Sequence, residues 1–191
     1  MSRRTIARAA ALALVFGAAA YHDATHAALA ANSTARHLTG PMRSYAWFPG
    51  RWACRTAAAA ASAQEPTPAK LWVTVDAEHD GLREEFASTS AGGKPYRSDN
   101  TLSYDTSLHA YVRRSVDING TQIVLAAKAP YKPAMNFEGF AGARDGKLYR
   151  MRAAIGVDAA QTEMAMATSF WHADTKSWVV QGTAVCSKIP N

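Results

Sequence analysis

Met164, Met166, Thr168, Phe170 and His172 recur at every second position of the segment TEMAMATSFWHA. On a strand they share one face, opposite Ala165, Ala167, Ser169 and Trp171. Two thioethers and a phenyl ring in a row make an adaptable apolar surface, which suits either the lining of a ligand cavity or an ordinary packed core. His172 is the member of that stripe able to ligate a metal or carry a proton. It also stands at the strand end, two residues from Asp174, where an exposed turn histidine is the plain alternative.

The other residues with chemical potential do not assemble into a recognisable set. Ser169, His172 and Asp174 have the residue types of a hydrolytic triad, but no nucleophile turn or oxyanion site accompanies them, and triads are recognised by geometry. Glu84 and Glu85 are adjacent, so a strand sends them to opposite faces and they cannot act as a carboxylate pair. Glu138 and Glu163 read either as inward acids or as ordinary surface acids. His22 and His26 are four apart but fall near the N-terminus, whereas His79, His109 and His172 are dispersed. There is no His-Glu-x-x-His, Cys-x-x-Cys or glycine-rich phosphate loop. The expectation is a protein without a catalytic set, a metal ion or a cofactor.

The elements that carry these residues read as strands. Leu71, Val73 and Val75 alternate with Trp72, Thr74 and Asp76, and the same period of two continues to the C-terminus. Asp80-Gly81, Asn119-Gly120 and Asp145-Gly146 read as tight two-residue hairpin turns, and Asp105 to Ser107 and Asp174 to Ser177 as two further turns. Between them lie ten expected strands: Arg51 to Thr56, Lys70 to Ala77, Leu82 to Thr89, Arg97 to Tyr104, Leu108 to Asp117, Thr121 to Lys128, Met135 to Gly142, Lys147 to Gly156, Thr162 to Ala173 and Trp178 to Lys188. Strands joined in succession by short turns form an all-β, up-and-down antiparallel meander, and closing it into a barrel removes its two edges. The Ala-rich stretch from Thr56 to Ala63 and the Pro-containing Gln64 to Lys70 read as a long loop, with a short helix as the alternative.

The chain has 191 residues, 48% of them apolar, and a net charge of +6 from 21 Lys and Arg against 15 Asp and Glu. Arg3, Arg4 and Arg8 precede an uncharged run, Ala9 to Ala20, with small-residue cleavage options after Ala20, Ala27 and Ala30. This pattern reads as a secretory signal peptide over residues 1–27, followed by a flexible lead-in over 28–44 and a barrel domain over 45–191. The run is too short to span a bilayer, which takes roughly 20 apolar residues. Cleavage after Ala27 removes three Arg and Asp23, which leaves a modest positive charge scattered along the chain. A nucleic-acid binder would cluster its cations in a stripe with aromatics, so that partner class is not expected.

Export implies an oxidising compartment, periplasmic or extracellular, in which the only two cysteines, Cys54 and Cys186, pair with each other. They sit in the first and last expected strands, which neighbour each other in a closed barrel of even strand number. Facing residues of an antiparallel pair have a constant index sum, so a Cys54–Cys186 pair places Trp52 opposite Lys188. That contact is either a cation over an indole ring or a frayed terminal lysine in water.

Gly50-Arg51-Trp52, after Tyr45-Ala46-Trp47-Phe48-Pro49, resembles the Gly-x-Trp signature that opens the first strand of lipocalins. The resemblance implies that Trp52 packs at the closed end of the barrel against a basic residue from late in the chain. Lys188 takes that place here, where lipocalins usually have Arg. The string Phe48 to Cys54 also resembles the start of exported bacterial lipocalin-like domains of unknown function. Ten strands lean towards the shorter ten-stranded relatives of lipocalins, some of which bind haem, and that likeness makes His172 a candidate haem ligand.

Small barrels are either filled by side chains or hold one small ligand. The leading expectation is therefore a barrel that binds a small apolar or amphipathic molecule, lined by Met164, Met166, Phe170 and His172. The alternative is a solid-barrel interaction protein, such as a periplasmic inhibitor or envelope-associated domain, acting through the loops Thr56 to Lys70 and Ala129 to Ala134.

Overall fold

The computed structural model describes residues 38–58, 66–89 and 94–190. The expected signal segment and much of the expected Thr56 to Lys70 loop lie outside them. Ten strands follow one another: β1 Gly50–Ala58, β2 Thr67–Asp76, β3 Gly81–Thr89, β4 Pro95–Asp105, β5 Ala110–Asp117, β6 Gln122–Lys128, β7 Ala134–Gly142, β8 Leu148–Val157, β9 Glu163–His172 and β10 Ser177–Ile189. Each pairs antiparallel with its successor, and β10 returns to β1, so the meander closes into a barrel. Among the described residues no helix is long and apolar enough to cross a membrane.

Alternation decides which side chains point inward. Leu71, Val73, Leu82, Leu102, Tyr111, Leu125, Phe137 and Met164 are buried on the inner face, while Lys70, Arg83, Thr101 and Arg114 point outward. At the seam, β1 and β10 run in register from Arg51↔Ile189 to Ala58↔Gly182, with Cys54 opposite Cys186 and Trp52 opposite Lys188. The two cysteines form a disulfide across 132 residues of sequence.

One end of the barrel is plugged. A short 3-10 helix, Gly40–Tyr45, turns Met42 and Tyr45 inward, and Leu38, Trp47, Phe48 and Trp52 complete the cluster. Tyr45 meets Tyr111 and Tyr131 edge-on at 5.2 and 4.9 Å, and Trp47 meets Trp52 at 5.9 Å. Such pairs add about 0.5–1.5 kcal/mol each beyond the area they bury. Burial pushes the Tyr45 phenol far above its ordinary pKa. Among the described residues, packing therefore reaches back to Leu38, inside the segment expected as a lead-in. Tyr111 Oη donates to the Pro41 carbonyl at 3.1 Å, and Thr39 N–H donates to Asp80 at 2.9 Å, so the strap is tied to the barrel at two places. Two apolar residues in a polar stretch, Leu38 and Met42, suffice because the barrel end supplies the rest of their surroundings.

The Gly-x-Trp segment lies at this plugged end. Gly50 has φ +134°, a region that side chains disfavour, and a Cβ on it would meet the Lys188 Cε at 3.2 Å. Lys188 thus lays its stem along Gly50, holds its ammonium 5.3 Å from the centre of the Trp52 ring, and donates to the Trp47 carbonyl. It is an anchored residue and not a frayed one. Trp52 Nε1 donates to the Phe48 carbonyl at 3.0 Å, so the buried indole has a partner.

The turns differ from expectation. In the β5–β6 connection the Gly120 N–H donates to the Asp117 carbonyl at 2.8 Å, and Gly120 adopts φ +75°. Ala143 to Gly146 repeats the arrangement, with φ +79° at Gly146. These are four-residue turns ending in a left-handed residue, not two-residue hairpins, and Gln161 and Lys176 take the same last position without being glycine. At Asp80-Gly81 the left-handed residue is Asp80, and Gly81 already pairs with Ser103 in the sheet.

Candidate functional site

Opposite the plug, the strand ends Ala58, Thr89, Asp117, Gly142 and His172 form the mouth of the barrel. Behind it the barrel holds a cavity of about 500 Å³. Its size falls within the range of ligand pockets, about 300–1,000 Å³. The cavity arises because inward positions towards the mouth are occupied by small or polar residues, such as Thr56, Ser88, Ser98, Ser115, Thr168 and Gly182. The inward positions nearer the plug carry Leu, Phe, Tyr and Trp.

The two sides of the cavity differ chemically. From β6 to β10 the wall is mainly apolar, with Ile123, Ala141, Met151, Met166, Phe170 and Ala184, and with Thr168 and Thr183 among them. From β3 to β5 it is polar, with Tyr96, Ser98, Asn100, Arg113, Ser115 and Asp117, interrupted by Phe86. At the base of the polar wall Arg113 makes a two-point ion pair with Glu84: Nη2 lies 2.6 Å from Oε2 and Nε donates to Oε1 at 3.3 Å. The Glu84 side chain is 2% exposed and that of Arg113 18%, so the acid is sealed behind the base and the guanidinium faces the cavity. Burial opposes the charge on Arg113, but the adjacent Glu84 carboxylate outweighs it and holds the guanidinium pKa above its ordinary value.

Two more polar residues are fixed by neighbours. Asn100 Nδ2 donates to the Glu84 carbonyl at 3.4 Å, and Asp117 Oδ1 accepts the N–H groups of Asn119 and Thr121 at 2.8 and 2.9 Å. Burial, with the charge of Asp117, raises the Tyr96 phenol. On the rim, Tyr149 stands edge-on to Phe170 at 6.1 Å.

The stripe singled out in the sequence is divided by this geometry. Met166 and Phe170 line the cavity; Met164 is buried nearer the plug, beside Cys186 in the register. His172 is exposed at the mouth end of β9 and does not line the cavity. Among the described residues the lining contains no histidine, and no group of three or more His, Cys, Asp or Glu is placed to hold a metal ion. The described wall therefore offers haem iron no imidazole, and His172 does not stand where an iron ligand in the cavity would have to be.

Ser169 lies on the opposite face of β9 from Phe170 and His172, so the three triad-type residues do not converge. Glu138 and Glu163 are exposed, and Glu138 pairs with Arg150 at 3.4 Å. His79 bonds Asp76 at 3.0 Å in the β2–β3 turn, and His109 lies in the β4–β5 turn, both at the plugged end. Glu84, Arg113, Asn100, Ser98 and Ser115 did not emerge as site residues from the sequence. Their signal was parity: Ser98 and Asn100 alternate with Leu102, and Arg113 and Ser115 alternate with Tyr111, on faces the pattern assigns to the interior.

No family model matches this chain, and no curated protein matches it in sequence. Among solved structures, it is similar to the crystal structure of Rv2717c from M. tuberculosis, with a TM-score of 0.62, 13% identity, and coverage of 80% of this chain and 99% of that one. A redesigned β-barrel overlaps with a TM-score of 0.43 and 9% identity, over 78% of this chain and 96% of that one. At 13% identity the likeness to Rv2717c concerns the fold alone, which in this chain is a closed antiparallel barrel.

Proposed function

We propose that this chain is an exported lipocalin-like barrel that binds one small apolar or amphipathic molecule between the two walls of its cavity. The observation that carries the reading is the cavity itself: a space of about 500 Å³, with mainly apolar residues on one side and hydrogen-bonding residues on the other. A solid barrel would have filled that volume. Export is supported by the basic and apolar start of the sequence and by the Cys54–Cys186 bridge, which suits a periplasmic or extracellular location.

Binding is tested by native mass spectrometry of the protein purified from its own source, together with thermal shifts over a panel of lipids and pigments. A true ligand at 100 times its Kd raises stability by about 2.7 kcal/mol. Met166→Trp places a larger ring in the cavity, and the expected outcome is at least tenfold weaker binding with little change in melting temperature. A fall in stability of about 1–3 kcal/mol, the cost of overpacking a filled core, would refute the reading. So would a clean apo mass with no thermal shift across the panel.

A further inference from the structure

We infer that the molecule held in the cavity carries an uncharged hydrogen-bonding head, such as an alcohol, amide or ester, and neither a carboxylate nor an ammonium group. The inference rests on the proposed binding function and specifies the chemistry of its ligand. At the base of the polar wall the two full charges are Glu84 and Arg113, and each already satisfies the other through two hydrogen bonds, at 2.6 and 3.3 Å.

An incoming carboxylate finds the charge of Arg113 already balanced by Glu84, whose side chain is only 2% exposed. A bond to Nη1 would then bring a second anion beside the first with no net countercharge to offset its lost hydration, which is strongly unfavourable. An incoming ammonium meets the opposite obstacle, because the member of the pair that reaches the cavity is the cation. The further acid in the wall, Asp117, ends β5 at the mouth, four residues from Arg113, so it places no carboxylate at the base of the polar wall where the head is held.

A neutral head meets no such penalty. The hydroxyls of Ser98 and Ser115 and the amide of Asn100 offer both donors and acceptors. Arg113 Nη1 takes no part in the bonds to Glu84, so it remains available to donate to a carbonyl or hydroxyl oxygen. Across the cavity, Met151, Met166 and Phe170 receive a hydrocarbon tail. A head on the β4–β5 side and a tail on the β8–β9 side use both walls at once.

The experiment compares four probes of one chain length, dodecanol, dodecanamide, dodecanoate and dodecylamine, by calorimetry on the full chain near pH 7. The expected result is binding of the two neutral probes at least about tenfold tighter than either charged one. Glu84→Gln uncovers the charge of Arg113 and shifts the dodecanoate-to-dodecanol affinity ratio by about tenfold or more towards the carboxylate. Ser115→Ala, a smaller change that serves if Glu84→Gln fails to fold, weakens the neutral probes about threefold to tenfold. Tighter binding of dodecanoate or dodecylamine to the wild type overturns the inference, as does a ratio unmoved by Glu84→Gln or neutral binding unmoved by Ser115→Ala. Equal binding of all four probes leaves the cavity function standing while refuting the inference. Absence of binding by any of them overturns both.

Discussion

The seam between β1 and β10 gives the sharpest stability prediction. Replacing both Cys54 and Cys186 by Ala removes a cross-link that spans 132 residues of sequence. In the chain-entropy account, freeing a loop of that size from the unfolded ensemble costs about 5 kcal/mol, slightly more than the value for a 100-residue loop. The native side changes little, because the ladder from Arg51↔Ile189 to Ala58↔Gly182 remains and both cysteines are buried among apolar neighbours. Domains of this size hold roughly 5–15 kcal/mol in total, and each kcal/mol moves Tm by about 2–4 °C, so the variant should melt about 10–20 °C lower. Calorimetry of the double variant, and of wild type reduced before the scan, should give coincident values. Urea unfolding should show a larger m-value once the unfolded chain is free to expand. A fall in Tm below about 3 °C would refute the reasoning, since it would mean that the hydrogen-bonded seam alone fixes the closure.

Two further outcomes are expected. Lys176 adopts φ +49° at the last position of the β9–β10 turn, where a left-handed non-glycine residue costs roughly 1–2 kcal/mol; Lys176→Gly should therefore gain about 0.5–1 kcal/mol after its own entropy cost, and an unchanged or lower Tm would count against the turn assignment. The backbone N–H groups of Glu163 and Thr162 hold Asp158 below its ordinary pKa of 3.8, so the folded state binds its proton less readily than the unfolded state; its contribution is present above pH 3.8 and is lost as pH falls through the lowered value. Asp158→Asn should flatten the acid limb of a Tm-against-pH curve, whereas parallel limbs for variant and wild type would exclude that role.

The strands and their closure were legible because their signals are local. A period of two identifies inward faces, and short turns force successive strands to be antiparallel. The equal-sum rule then carried Cys54 and Cys186 to the correct partner for Trp52, since one aligned pair fixes a whole ladder. Local signals failed wherever tertiary context overrode them. Leu38 and Met42 looked insignificant until a barrel end existed for them to cover. Gln161 and Lys176 occupy left-handed positions that glycine or asparagine would have announced. Glu84 and Arg113 lie on β3 and β5, which do not pair with each other, so their contact depends on two successive registers and on the curvature that brings non-adjacent strands together. Glu85, adjacent in sequence, points to the opposite face of β3 and carries no information about the partner of Glu84.

A buried ion pair is a poor device for stability, because well-packed apolar residues of similar volume usually do as well or better. The core of this barrel already uses that better solution: its plugged half is built from Met42, Tyr45, Phe48, Trp52, Leu71 and Phe137, with Trp52 Nε1 satisfied by the Phe48 carbonyl. Glu84 and Arg113 stand where that packing gives way to open space. The pair is asymmetric, the acid sealed and the base reaching the cavity. Exchanging it for apolar side chains would extend the solid core upward and erase the polar base of the site, whereas keeping it leaves a guanidinium edge and the Ser98, Asn100 and Ser115 groups facing inward. Stability therefore accounts for the plugged half and the disulfide seam, but not for this wall. Under the binding function proposed above, this wall orients the bound molecule as well as accommodating it, because an apolar cavity alone would hold a hydrocarbon in any direction.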